Sequence, residues 1–163
     1  MKNVLVSYFS LTGNTAKMAQ AVASGAKSIG ADVRLKKVDE THLEDLKWAD
    51  GIIIGSPTYY GQMAAEVKRL FDRSSGVRGQ LENKVGAAFT SSASIGGGNQ
   101  TTLISTLQAM LIHSMIVVGD PMESGGHYGA IAIGEPNKES LETCRLLGVR
   151  VAQLINRIGP WSD

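Results

Sequence analysis

Three short apolar runs, each ending at a cluster of small polar residues, do most to constrain what this chain can fold into. Residues 3–9 read NVLVSYF and stop at Ser10-Leu11-Thr12-Gly13-Asn14-Thr15. Residues 48–55 place Ile52, Ile53 and Ile54 in succession before Ser56-Pro57, and residues 84–92 read KVGAAFTSS before a loop of serines and glycines. Runs this short and this apolar predict strands covered on both faces, the mark of a parallel sheet between helices.

Between the runs the apolar period changes to that of a helix. Ala16, Ala19, Val22, Ala23, Ala26 and Ile29 recur every three to four residues, and Gly30 supplies a stop. Residues 32–38 alternate apolar and charged side chains, as an edge strand does, and the charges guard that edge against association. Met63, Val67, Leu70 and Phe71 predict a helix over 62–73, and Leu103, Leu107, Met110 and Leu111 another. Residues 115–118 predict a fifth strand, followed by an irregular segment to about Pro136. A last helix carries Cys144, Leu147, Val151, Leu154 and Ile158, with Gly159-Pro160 as its stop. Strands alternating with helices imply right-handed crossovers and an open three-layer α/β sandwich, with ligands outside the carboxyl ends of the strands.

With 163 residues, 43% of them hydrophobic, the chain predicts one domain over 1–163 with a full core. Sixteen Lys and Arg against 15 Asp and Glu leave a net charge of +1, which gives no electrostatic footprint for nucleic acid or an acidic membrane. Cys144 is the single cysteine, so no internal disulfide forms. No targeting or membrane-spanning run is visible, and a cytoplasmic protein is expected. His42, His113 and His127 are too scattered to predict a metal site, and Cys144, on the helical stripe, reads as a core thiol.

The function is expected in the loops after the first, third and fourth strands. Ser10 to Thr15 bring hydroxyls, an amide and a glycine to a helix amino terminus, where free amides and the helix dipole favour an anion. The same residue types are the preferred helix caps, so this loop alone reads either way. Ser56-Pro57-Thr58-Tyr59-Tyr60-Gly61 offers two tyrosines that can stack on a planar ring, or that simply pack inward and face solvent. Ser91-Ser92-Ala93-Ser94-Ile95-Gly96-Gly97-Gly98-Asn99 leaves backbone open to close approach, or is a flexible surface loop. Gly25-Ala26-Lys27-Ser28 resembles part of a nucleotide-binding loop but lies at the far end of a helix. A phosphate cradle and two ring-facing loops at one edge together describe a site for flavin mononucleotide (FMN).

These residues also carry a family resemblance. Residues 10–15 match the [ST]-x-T-G-x-T phosphate loop of flavodoxins at every fixed position. Residues 56–64 are similar to the P-T-[RY]-[FY]-G-x-M segment of the flavodoxin-like NAD(P)H:quinone oxidoreductases, the WrbA or Trp repressor-binding protein family. Gly96-Gly97-Gly98-Asn99-Gln100, His113-Ser114-Met115 and Tyr128-Gly129-Ala130 resemble it as well.

The resemblance implies a flavodoxin-like five-stranded sheet in the order 2-1-3-4-5 that binds FMN non-covalently. Ser10, Leu11, Thr12, Gly13, Asn14 and Thr15 would hold the phosphate. Pro57, Thr58, Tyr59, Tyr60 and Gly61 would line one side of the isoalloxazine, and Ser91, Ser92, Ala93, Ser94, Ile95 and Gly96 the other. His113 would stand near the flavin as a catalytic residue, against the plainer reading of a helix-end histidine satisfied by a carbonyl. His127-Tyr128 would border the site, although a surface turn explains it equally well.

The expected activity is two-electron transfer from NAD(P)H to quinones, by an enzyme that could form homo-oligomers. The alternative is a flavodoxin carrying electrons between redox proteins, a reading favoured by Thr15. Against it stand the absence of an acidic surplus for docking and of an aromatic residue in the loop after the fourth strand. A signalling receiver domain would need acidic residues where this chain has Ser10 and Gly55-Ser56.

Overall fold

Consecutive isoleucines on β3 (Gly51–Tyr59) point to opposite faces of one sheet and divide the core in two. Ile53 joins Val4 and Val6 of β1 (Asn3–Tyr8) against α1 (Asn14–Ser28) and α5 (Lys138–Ile158). Ile52 and Ile54 join Leu5 on the other face, under α2 (Leu43–Trp48), α3 (Ala65–Arg73) and α4 (Asn99–Ile112). The computed structural model describes residues 2–158, so the Gly159-Pro160 stop lies outside the described residues.

β2 (Asp32–Lys37), β1, β3 and β5 (Val85–Ser92) lie side by side and parallel. The order matches the expected 2-1-3-4-5, but the strand count does not. The fifth position is filled by two pieces, β6 (Ile116–Val117) beside the start of β5 and β7 (Ala130–Ile133) beside its end. The four residues of β7, Ala-Ile-Ala-Ile between glycines, are too few to stand out by period. The seventh strand, β4 (Gln62–Met63), turns back on β3, so the helix expected from residue 62 starts at Ala65. Tyr60 (φ 49°) and Gly61 (φ 74°) form the two-residue turn between them, a geometry that takes positive φ at both positions.

Two glycines let the α1 and α5 backbones touch. A Cβ on Gly25 would stand 1.9 Å from the Arg145 carbonyl oxygen, and one on Gly148 would stand 2.0 Å from that of Val22. Cys144 lies inside this seam, where burial pushes its thiol up to about 12 and leaves it protonated and inert. No described helix is long and apolar enough to cross a membrane.

Candidate cofactor site

The carboxyl ends of β1, β3 and β5 deliver three loops to one edge of the sheet. Gly13 (φ 101°) turns the first loop into α1, and its N–H donates to Ser10 Oγ at 3.1 Å. No side chain caps α1 and no acidic residue stands in its first turn. The N–H groups of Asn14, Thr15 and Ala16 therefore point off the helix end without an acceptor among the described residues. Nothing lies within 4 Å of where a Gly13 Cβ would be. Of the two readings of this loop, an open anion site fits and a self-capped helix does not. Thr15 is buried, its hydroxyl 2.9 Å from that of Ser91, and ties the loop to β5.

The second and third loops meet backbone to backbone. A Cβ on Gly98 (φ 94°) would stand 2.5 Å from Gly61 Cα, so only glycine lets the two close into one wall. Thr90 donates to the Ser56 carbonyl at 2.7 Å and lies 3.0 Å from the Thr58 hydroxyl, while Ser56 Oγ accepts from the Ala64 N–H at 2.8 Å. Asn99 Nδ2 reaches Ser92 Oγ and the Ile95 carbonyl, and its Oδ1 accepts from the Gln100 N–H. Ser56, Thr90, Gly98 and Asn99 thus hold the site in shape; Ser56, Gly98 and Asn99 stand in the loops the sequence marks, while Thr90 lies in the strand before them and was not marked. The glycine run at 96–98 was the available clue.

The rim is apolar and uncharged. Leu11 (76% exposed), Tyr60 (106%) and Ile95 (80%) give each loop one large apolar side chain in solvent, and Tyr59 is exposed beside them. No Asp, Glu, Lys, Arg or His occurs in 10–15, 57–62 or 91–100. Amides at a helix start beside an apolar rim fit an anion joined to a planar ring, and so fit FMN.

His113 does not belong to this group. It ends α4 just before β6, whose Ile116 pairs with Val85 at the opposite end of β5 from Ser92. Seven residues of strand, about 23 Å, separate the two edges. Its Nε2 lies 2.7 Å from Ser74 Oγ, which donates to the Phe71 carbonyl at 2.6 Å, so Nε2 carries the proton. Nδ1 is buried without a partner, beside an apolar void of about 10 Å³. His113 is therefore a helix-end core residue, held by a serine hydroxyl where a carbonyl was expected.

Burial, and then the Arg78 charge, hold the His113 imidazole below its ordinary 6.5. The unfolded chain binds the proton more readily, so this site's stabilisation is present above pH 6.5 and is lost as pH falls toward the depressed folded value. Urea midpoints should fall between pH 7 and pH 5 by more in the wild type than in His113→Leu. Equal pH dependence in the two proteins would overturn the assignment.

Comparison with known proteins decides the family. The model for "NADPH-dependent FMN reductase" matches residues 38–127, more than half of the chain. The chain belongs to the NADPH-dependent FMN reductase family. This reductase-family chain is 36% identical to an NAD(P)H dehydrogenase (quinone) of Archaeoglobus fulgidus, over 97% of this chain and 100% of that one. It is 44% identical to a flavodoxin of Aquifex aeolicus, over 95% of this chain and 88% of the other. The crystal structure of a flavodoxin, WrbA-like protein from Agrobacterium tumefaciens superposes with TM-score 0.84 at 33% identity, covering 96% and 99% of the two chains. Flavodoxin-like architecture and WrbA-type kinship both agree with what the motifs implied.

Proposed function

We propose that this protein is an FMN-dependent oxidoreductase that transfers two electrons from NAD(P)H to quinones. The observation that carries the reading is the uncapped start of α1 opening beside an apolar, uncharged rim at the sheet edge, in a chain of this family. Bound FMN would supply the redox chemistry, taking hydride equivalents from NAD(P)H and passing them to the acceptor.

The chain's own residues bind and orient. The amides of Asn14, Thr15 and Ala16 would face the phosphate, with about half a positive charge from the helix dipole, while Ser10 and Thr12 would add hydroxyls. Leu11 borders the cradle. Pro57, Thr58, Tyr59, Tyr60 and Gly61 form one wall of the ring slot. Ser91, Ser92, Ala93, Ser94, Ile95 and Gly96 would form the other, where the open backbone at Gly96 could offer amide donors to the ring. Tyr60, fully exposed at the hairpin tip, would stand beside the ring at its solvent side. A single domain carries the whole site, and a cytoplasmic location and a homo-oligomer are part of this reading.

The flavodoxin of Aquifex aeolicus, at 44% identity, favours a second reading: a carrier that docks redox proteins and turns over no small molecule. Anaerobic titration of the purified holoprotein separates the two. Direct bleaching of the oxidised flavin band by NADH or NADPH, and its return on adding a quinone, are expected of the oxidoreductase. A band bleached by dithionite but untouched by either nucleotide would move the assignment to the carrier.

A further inference from the structure

The segment between β6 and β7 winds around one buried carboxylate. Asp120 is 1% exposed, and its Oδ1 accepts the His127 backbone N–H at 2.7 Å. Its Oδ2 lies 3.0 Å from the Ser124 hydroxyl, which donates to it, and 3.3 Å from His127 Nδ1. Glycines make the winding possible. A Cβ on Gly119 would stand 1.9 Å from the His127 carbonyl oxygen, and one on Gly125 would stand 2.3 Å from His127 Cε1, so the imidazole rests on bare backbone. Arg150 of α5 donates to the carbonyls of Gly119 and Asp120 and fastens the segment to the body of the protein.

The result is a ring held from one side only. The His127 side chain remains 64% exposed, with Nδ1 turned to the carboxylate and Nε2 left without a partner among the described residues. It lines a cavity of about 410 Å³ together with Ser124, Gln100 and Ile133. Gln100 follows Asn99 directly, and Gly134, next to Ile133, donates to the Ser92 carbonyl at 2.7 Å. The cavity therefore shares a wall with the third loop of the cofactor site.

We propose that His127 donates a proton to the acceptor reduced at this site, with Asp120 as its positioning residue. The proposal rests on the oxidoreductase reading above. A quinone that receives hydride from NAD(P)H needs one more proton to leave as the hydroquinone. The donor is the imidazolium, protonated at both nitrogens: its N–H bond at Nε2 breaks, an O–H bond forms on the quinone oxygen, and the neutral imidazole left behind, still protonated at Nδ1, takes a proton back at Nε2 from solvent. Asp120 keeps the Nδ1 proton in place throughout, so the proton given up and regained is the one at Nε2, facing the cavity.

The charged groups around the ring come from three elements. Asp120 and Glu123 stand on its own segment, Glu135 and Arg150 flank it from the α5 side together with Glu139, and Lys17 of α1 pairs with Glu135. From α4 the cavity receives only the neutral Gln100.

Two acceptors test the role, a quinone that needs the proton and ferricyanide that needs none, with NADPH or NADH driving both. In the holoprotein, His127→Gln should lower kcat/KM for the quinone about 100-fold while ferricyanide reduction stays within about twofold. A second readout needs no turnover: nitrogen-detected NMR of the histidine rings should find His127 protonated at Nδ1 in the wild type and redistributed in Asp120→Asn. Undiminished quinone reduction, an equal loss with both acceptors, or a wild-type ring protonated at Nε2 alone at neutral pH would each overturn the proposal. A wild-type holoprotein that oxidises neither nucleotide with either acceptor would overturn the oxidoreductase reading, and this proposal with it.

Discussion

Thr12→Asp should fold normally and fail to retain FMN. Thr12 is exposed beside the uncapped start of α1, and the amides of Asn14, Thr15 and Ala16 are the hydrogen-bond donors aimed from that helix end. A carboxylate there would take the amides for itself and repel the phosphate. Two unit charges 4 Å apart at an effective dielectric near 20 repel by about 4 kcal/mol, so a loss of affinity of at least about 100-fold, roughly 2.7 kcal/mol, is a modest expectation. Fluorescence quenching during titration of the apoprotein with FMN gives the dissociation constant, and far-ultraviolet circular dichroism checks the fold. Unchanged affinity in a folded Thr12→Asp protein would remove the cradle from this loop. Thr12→Ala is the control: it deletes a hydroxyl but no amide, and should cost only a few-fold.

Gly148→Ala should destabilise the fold strongly for the addition of a single methyl group. In an exposed helix the same change would stabilise by about 1 kcal/mol. Here the added carbon would sit 2.0 Å from the Val22 carbonyl oxygen and 3.0 Å from the Ala26 nitrogen, against backbone that cannot rotate away. Forcing α1 and α5 apart also loosens Met18, Val22, Leu147 and Val151, which fill the space between the helices and the sheet. A net loss of about 2–3 kcal/mol follows from overpacking of this kind, read as a lower urea midpoint at unchanged slope. A midpoint at or above that of the wild type would show that the seam has slack.

The parts of this fold that were legible in the sequence are those in which one residue type does one job. Ile52 to Ile54 could only be a strand buried on both sides, and the 3.6-residue stripes of α1 and α5 face the sheet as their spacing requires. What escaped was short or shared between elements. Met63 keeps the period of α3 yet belongs to a strand two residues long, because Tyr60-Gly61 reverses the chain first. The six residues of α2 and the four of β7 hold too few turns or alternations to show a period. The three loops were visible as small polar clusters, whereas the Gly61–Gly98 contact that joins two of them depends on tertiary approach. His113 was placed by resemblance to a motif, and the path of α4 carries it to the other edge. Asp120 drew no notice because a lone Asp before proline is an ordinary turn; only folding brings His127 back onto it.

The neutral cradle also determines how this site can be broken. Its donors are main-chain amides of a helix that the core already holds in place, so no side-chain truncation in 10–15 removes them, and no ion pair is there for salt to dissolve. Harm comes instead from addition: a carbon at Gly98, a carboxylate at Thr12, a branched side chain at Gly13. Random substitution should therefore spare cofactor retention when it shortens these loops' side chains and abolish it when it enlarges them, a bias opposite to that of a site built from arginines and lysines.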